Sequence, residues 1–360
     1  VIMGRGFWPG LCVSIKHNSK FASFSLLNKG DYNYELDIPI PFSLISNDTL
    51  KDELVIMPGY WFLYNFYALA RNAWKYVDRD KRIDKTPIYE YDFLAPDTIN
   101  ELMEGRRIIA KAVGHALNRN SGKTLDENAL ITLGEKALNS KDKSTIDALE
   151  ITLNGIENSK RKVRLVKAFD AYHIFEKMIF MYGMEALLDT LNNKKVTIQQ
   201  IKNIKTNHKD LQWTNVGSLL MPTKQLLQLL SQIKSGQLDS WDAVHDFYAN
   251  ASNKYHSNKK SHALAILEQI KNQKLSAITK KTLLSWLDEY VAIKTDINRR
   301  IKITRTKDYT NPFRKMVFEN EAEMNAVIGS LESNGFIKEQ KALLDSITEN
   351  IEHIKKVLAK

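Results

Sequence analysis

The sequence has 360 residues, of which 43% are hydrophobic and 26% are charged. These proportions are ordinary for globular proteins, so they exclude a largely disordered chain and a collagen-like repeat. Lysine and arginine outnumber aspartate and glutamate by 52 to 42, which gives a formal net charge of +10. This balance permits anionic partners but does not identify one.

A single cysteine, Cys12, excludes a disulfide within the chain and is typical of a reducing compartment. A cysteine-based zinc site is excluded for the same reason, because it needs several thiolates. The longest apolar stretch, residues 55–70, is interrupted by Pro58, Gly59 and Asn65. It falls short of the roughly 20 apolar residues that span a bilayer. We therefore predict a cytoplasmic protein that does not contact a membrane.

Apolar residues recur every six positions near the beginning of the sequence. The recurring residues are Met3, Pro9, Ile15, Phe21 and Leu27. This period is typical of a hexapeptide repeat, in which each hexad supplies one short strand and one turn of a left-handed parallel β-helix. Such repeats bury a core only by stacking, so the hexads predict the end of a longer β-helix. The alternative is an accidental period in a β-rich entry segment.

Several segments of the first 100 residues resemble an uncharacterised bacterial family, a domain of unknown function. These segments are Gly4–Cys12, Lys16–Phe24, Lys29–Tyr32, Leu36–Leu44, Met57–Trp61 and Leu63–Asn72. Members of the family join a hexapeptide-repeat β-helix of the trimeric LpxA-like superfamily to a long C-terminal region. The resemblance implies that this chain lacks the N-terminal part of the β-helix and that the full-length protein is a homo-oligomer, a trimer. By analogy, it also implies acyl transfer to a nucleotide-linked sugar with acyl-CoA as the donor; no other cofactor is evident.

From Leu50 onward the patterns are helical. Aromatic residues cover nearly every face of residues 60–67, which predicts a buried helix, and a short strand is predicted at Ile88–Phe93. Further helix starts are predicted from capping residues. They are Asp97, the pairs Thr124 with Glu127 and Thr197 with Gln200, Pro222 with Thr223, and Ser240.

The predicted fold class is α+β, with the C-terminal end of a left-handed parallel β-helix followed by a mostly α-helical bundle. Three domains follow from this interpretation. Residues 1–48 would end the β-helix, residues 49–120 would form an aromatic-rich helical segment packed on it, and residues 121–360 would form the α-helical C-terminal domain.

His17 is the candidate catalytic residue, because a histidine can move a proton near neutral pH and bases of this kind occur in hexapeptide-repeat acyltransferases. Arg5, Lys16 and Asn18 are the candidate substrate-binding residues, which would contact a small anionic metabolite or donor. The alternative is that His17 is an exposed turn histidine.

No metal site is predicted. His173 and Glu176 are spaced to share one helical face, but carboxylate-bridged metal sites need several helices to contribute, and no second copy of the pair is present. The basic, aromatic segment Tyr309–Lys315 is interpreted as a connection between helices, and nucleic acid is not an expected partner. The sequence also lacks a P-loop and a G-x-S-x-G motif.

Two functions therefore stay open, and nucleic-acid binding through the basic helices is a weaker third. The first is an acyltransferase. The second is a non-enzymatic oligomeric scaffold or binding module, whose helical C-terminal region engages a partner.

Overall fold

A computed structural model describes residues 1–85, 88–119, 121–191, 197–209, 211–217 and 219–359, with Ala359 as backbone alone. The chain divides into two compact units. Unit 1 comprises Val1–Leu63 and Phe93–Ile179, and unit 2 comprises Tyr64–Asp92 and Phe180–Lys360.

The described residues of unit 1 form ten short strands. They are β1 (Ile2–Met3), β2 (Trp8–Pro9), β3 (Val13–Ile15), β4 (Lys20–Phe21), β5 (Leu26–Leu27), β6 (Gly30–Tyr32), β7 (Asp37–Ile38), β8 (Leu44–Asp48), β9 (Glu53–Met57) and β10 (Lys162–Leu165). Their sheets have the orders β1-β4-β7, β3-β6 and β10-β9-β8-β5-β2. All pairs are parallel except β8 with β9, which form an antiparallel pair.

The β-helix predicted from the hexads is wrong for this chain. The strands are two to five residues long and form small separate sheets rather than a solenoid, and helices account for most of the chain. Of the residues expected to fill a solenoid interior, Met3 and Pro9 are exposed and Ile15 is half-buried, whereas Phe21 and Leu27 are buried. An apolar period alone does not enclose a core when its first members face solvent. The fold is therefore a helix-rich α+β arrangement with small parallel and mixed sheets.

Buried serines close several turns between the strands of unit 1. The hydroxyls of Ser19, Ser25 and Ser43 each donate to the carbonyl three residues earlier at 2.8 Å. These bonds satisfy polar groups in the interior, where an unpaired donor or acceptor is costly. Phe24 and Phe42 adopt left-handed backbone conformations at two such turns, and their rings stack at 4.8 Å.

The described part of unit 1 also contains four helices, which lie between strands β9 and β10 in the sequence. They are α1 (Tyr60–Tyr64), α3 (Pro96–Asn118), α4 (Glu127–Ser140) and α5 (Lys143–Asp147). The long helix α6 (Ala168–Thr190) contributes to unit 1 as far as Ile179 and to unit 2 from Phe180. α3 and α4 approach closely at Gly114 and Gly134. A Cβ atom at Gly134 would lie 1.8 Å from the carbonyl oxygen of Ala110, so no side chain fits there.

Unit 2 is mainly helical, and its described residues include one β-hairpin. Its helices are α2 (Phe66–Arg79), α7 (Ile198–Lys202), α8 (Thr223–Lys234), α9 (Trp241–Ile270), α10 (Lys280–Thr310), α11 (Pro312–Lys315), α12 (Glu321–Ile328) and α13 (Gly335–Ala359). The hairpin pairs β11 (Trp213–Val216) with β12 (Leu219–Pro222) in antiparallel register. Trp286, Leu287 and Tyr290 of α10 are among the core residues of this unit.

Predicted helix starts agree with the structure where a side chain satisfies its own backbone. Thr197 accepts from the Gln200 N–H and Gln200 accepts from the Thr197 N–H, so the predicted capping box is confirmed. Ser240 caps α9 and α8 begins at Thr223, also as predicted.

Other local predictions were wrong. The N-cap of α4 is Asp126 rather than Thr124, and α3 begins at Pro96 with Asp97 inside its first turn. The described residues between Ile88 and Phe93 form no strand. None of the described helices combines the length and the apolar character that crossing a bilayer requires.

Candidate functional site

One face of α3 carries a row of cationic and histidine side chains. Arg107, Lys111, His115 and Arg119 occupy every fourth position, the last just after the helix ends. Because an α-helix has about 3.6 residues per turn, side chains spaced by four lie on the same face. This face forms one wall of a groove in unit 1.

The groove has a volume of about 700 Å³. Its second wall comes from the connection after α3, which contributes Lys123. Its third wall comes from residues 152–156 and from Asp37 of strand β7. Four lining side chains are lysines or arginines, and Asp37 is the acidic residue among them. A polar groove with this balance favours an anionic ligand.

Ion pairs hold part of the cationic row in position. Arg107 and Lys111 both pair with Glu127, and Arg119 pairs with Glu150 at 3.0 Å. The hydrogen bond from Arg107, together with the one from Lys111, holds the pKa of Glu127 below its ordinary value. These pairs are partly exposed, so they fix side-chain direction more than they stabilise the fold.

Two groups in the groove remain available. Within the described part of the chain, neither the His115 ring nor the Lys123 ammonium has a hydrogen-bond or ion-pair partner. Lys123 takes part in local bonds through its backbone alone, with Asn118 and Ser121. A ligand in the groove could therefore pair with both groups without breaking an existing contact.

The four residues predicted from the sequence occupy two surroundings in the structure. Arg5 donates two hydrogen bonds of 2.9 Å to Asp97, and its guanidinium lies 5.4 Å from the centre of the Phe24 ring. Its side chain is 11% exposed. Arg5 therefore joins the strands to α3 in addition to any role in binding.

Lys16, His17 and Asn18 form the turn between β3 and β4. His17 and Asn18 are exposed and Lys16 is half-buried, and Asn18 has a left-handed φ of 64°. The amide of Asn158 lowers the pKa of the nearby Glu35, and Lys16 and His17 add to this effect. The catalytic role of His17 stays a prediction.

A half-buried carboxyl lies next to the ion pair of Arg5 and Asp97. Glu101, one helical turn after Asp97, accepts a 2.9 Å hydrogen bond from the backbone N–H of Ser23. Burial, with a smaller contribution from the Asp97 carboxylate, raises the pKa of Glu101 to about 7. The sequence analysis missed this residue because burial of a single carboxyl leaves no periodic signal.

The residues considered for a metal site have other partners. His173 Nε2 lies 3.0 Å from the carbonyl oxygen of Leu138, and Glu176 pairs with Arg106 at 2.8 Å. No group of three or more His, Cys, Asp and Glu suited to a metal ion occurs in the described ranges. The groove on α3 was also missed, although the spacing of Arg107, Lys111, His115 and Arg119 was visible in the sequence. What the sequence could not show was the opposite wall.

Comparisons with known proteins give a family match in the C-terminal half. Residues 192–360 match a family described as a domain of unknown function (DUF6819). The chain is also 33% identical over 343 residues to an uncharacterized protein of Treponema pallidum (strain Nichols). That alignment covers 94% of this chain and 45% of the relative, so the chain spans less than half of the length of the curated relative it matches. No solved structure matches.

These matches support the coarser part of the resemblance, an uncharacterised family with a domain of unknown function. They do not support a hexapeptide repeat, an LpxA-like β-helix or a transferase. The family match also lies outside the first 100 residues on which the resemblance was based.

Proposed function

We propose that unit 1 binds a small molecule that carries several negative charges, and that this ligand lies in the groove along α3. The observation that carries the proposal is the groove itself, which is lined by four lysine and arginine side chains, His115 and one carboxylate. Its volume of about 700 Å³ lies within the range of small-molecule sites. This proposal keeps the small anionic metabolite expected from the sequence, but it places the ligand in unit 1 rather than in the helical C-terminal region.

Phosphate groups are the anions that this arrangement suits best. Arg107 and Arg119 carry planar guanidinium groups, which would bind phosphate oxygens through paired hydrogen bonds in exchange for their present glutamate partners. Lys111 and Lys123 contribute point charges. His115 adds a ring N–H donor between Lys111 and Arg119. Inorganic tripolyphosphate is therefore a suitable first probe, because it presents charge without a base or sugar.

The test is calorimetric titration of the whole chain with tripolyphosphate at low salt. We expect Lys123→Gln to weaken binding by about three- to tenfold, since it removes an available charged donor. The matched control is Lys136→Gln, which removes the same charge from an exposed position of α4 that does not line the groove. We expect the control to change affinity by less than about twofold. Equal losses in both variants, or no binding by the wild type, would contradict the proposal.

Acyl transfer is the second candidate function, and one observation favours it for this groove. His115 stands without a partner in the described part of the chain and is flanked on the same helical face by Lys111 and Arg119. A coenzyme A thioester carries phosphates that suit the cations, and a histidine is suited to proton transfer. Acyl transfer in this groove requires that acetyl-coenzyme A and tripolyphosphate compete for binding to it. Absence of competition would exclude transfer from this groove.

The predicted trimer remains a proposal of the same kind. Sedimentation velocity of the chain, and of a longer protein that includes it, would give the oligomeric state of each. A monomer in both cases would contradict the trimer.

A further inference from the structure

A second concave site lies within unit 2, between the hairpin β11–β12 and one face of α9. Its volume is about 560 Å³. The hairpin supplies Val216, Gly217 and Leu219. The helix supplies His245, Tyr248, Ala249, Ser252 and Asn253, whose spacing of three and four residues puts most of them on one face. This cleft lies within the residues that match the domain of unknown function.

The cleft differs from the groove of unit 1 in its charge. No lysine, arginine, aspartate or glutamate occurs among the described residues that line it. Val216, Leu219, Ala249 and the ring of Tyr248 form its apolar surface. A charged ligand would lose its hydration here without gaining an ion pair, so the lining disfavours one.

Three polar side chains of the cleft have no hydrogen-bond partner among the described residues. Ser252 is 8% exposed, yet its hydroxyl has no hydrogen-bond partner in the described part of the chain. The same holds for the Tyr248 hydroxyl and the His245 ring. These groups are accessible from the cleft, so each can form a hydrogen bond with a ligand that enters it.

We propose that this cleft binds an uncharged, mainly apolar small molecule that carries a hydroxyl, carbonyl or amine along one edge. The apolar surface would cover the body of the ligand, and Ser252, Tyr248 and His245 would pair with its polar edge. Sites of this composition and volume are typical of small-molecule binding. The proposal is independent of the anion-binding groove, because the two sites share no residue and select opposite chemistry.

The test is a fluorescence titration of the full chain with phenylnaphthylamine, an uncharged apolar probe with one N–H donor. Ala249→Trp fills the cleft from an exposed position of α9, so we expect it to weaken binding by about tenfold or more. The matched control is Asn250→Trp, which adds the same ring at the next exposed position, outside the cleft. We expect the control to bind as the wild type does, with one probe per chain. Circular dichroism and thermal unfolding of both variants would establish that they are folded.

Three results would overturn the proposal. The first is fluorescence that rises without saturation, which indicates non-specific partition. The second is an equal loss in the two tryptophan variants. The third is binding that appears only at concentrations where sedimentation shows a dimer, because exposed Leu227 and Leu230 of α8 could then be covered by a second copy together with the probe. Loss of tripolyphosphate binding would leave this proposal unaffected.

Discussion

At the scale of single residues, α3 of unit 1 places two carboxyl groups near the strands. One is neutralised by an arginine, and the other has a raised pKa. Arg5 and Asp97 form a nearly buried pair, with side chains 11% and 12% exposed. Glu101 lies one turn further along the helix and receives a backbone N–H rather than a full cation. The cost of ionising Glu101 is therefore high, and its proton is retained to a higher pH than in an unfolded chain.

Replacement of Glu101 by Gln should flatten the pH dependence of stability. The carboxyl pKa is about 7 in the folded protein against 4.5 as its ordinary value. A raised folded pKa contributes stability that is complete below about 4.5 and is lost as the pH rises to about 7, because the unfolded chain releases the proton first. Gln keeps an acceptor for the Ser23 N–H but cannot ionise. Relative to wild type, we expect Glu101→Gln to gain about 1–3 kcal/mol between pH 5 and pH 8, measured by urea unfolding.

The control variant is Asn100→Gln, at the neighbouring position of the same helix. It changes a side chain without removing an ionisable group. A wild-type curve and a Glu101→Gln curve that stay parallel across this pH range would refute the raised pKa.

At the scale of secondary structure elements, the α3–α4 pair depends on glycine where two helix backbones meet. At Gly114 a Cβ atom would lie 2.0 Å from the carbonyl oxygen of Leu130, and Gly134 meets Ala110 in the same way. Glycine inside a helix costs roughly 1 kcal/mol relative to alanine in propensity. Close packing of the two backbones must offset this cost, so the sign of a glycine substitution depends on its neighbours.

The substitution Gly134→Ala should destabilise the protein although alanine is the better helix former. The added methyl group would overlap backbone atoms, which cannot move as a flexible side chain can, so we expect a loss of at least about 2 kcal/mol. Gly335→Ala is the matched control, because no atom lies within 4 Å of its added Cβ at the first position of α13. The control should change the free energy of unfolding by less than about 1 kcal/mol. Similar losses in the two variants would argue against the close approach of α3 and α4.

The helix ends show which starting positions the local sequence predicts correctly and which it does not. The capping box at Thr197 and the N-cap at Ser240 were predictable because the capping atoms lie within three residues of each other in the sequence. The start of α4 was displaced by two residues because Asp126, like Thr124, can cap a helix, and the carboxylate of Asp126 accepts the Ala129 N–H at 2.8 Å. Local rules therefore predict that a helix begins but do not always choose between neighbouring caps.

At the scale of the whole molecule, the two units carry sites of different chemistry. The groove of unit 1 is lined by cationic side chains, whereas the cleft of unit 2 has no charged lining residue in its described part. The net charge of +10 is a property of the entire chain and does not reveal this division. Two ligands of unlike character could therefore bind the chain independently.

Salt should separate the two binding events. Raising the ionic strength from about 0.05 M to 0.5 M should weaken tripolyphosphate binding by about tenfold or more, because ions screen exposed charges over shorter distances as salt increases. Binding of phenylnaphthylamine should change by less than about twofold, since its binding involves no charge. Both titrations can be made on one preparation of the wild-type chain, and strong salt dependence of the neutral probe would contradict the assignment of the cleft.

The sequence by itself determined the features that depend on nearby residues. It indicated a strand-rich beginning, a mainly helical remainder, the capping box of α7, the N-cap of α9, and a basic charge balance that permits anions. It also indicated an uncharacterised family, which the comparisons support in coarse form.

The tertiary structure alone decided the features that join distant parts of the chain. The hexad period suggested a solenoid, but sheet order depends on which strands meet: β10 joins β9 after more than 100 intervening residues, and β9 turns back antiparallel to β8. The groove needs α3 to face residues 152–156, and the cleft needs a hairpin to face α9. The environment of Glu101 likewise requires Ser23, which is 78 positions away. Burial and charge pairing act through space, so a periodic pattern along the chain cannot specify them.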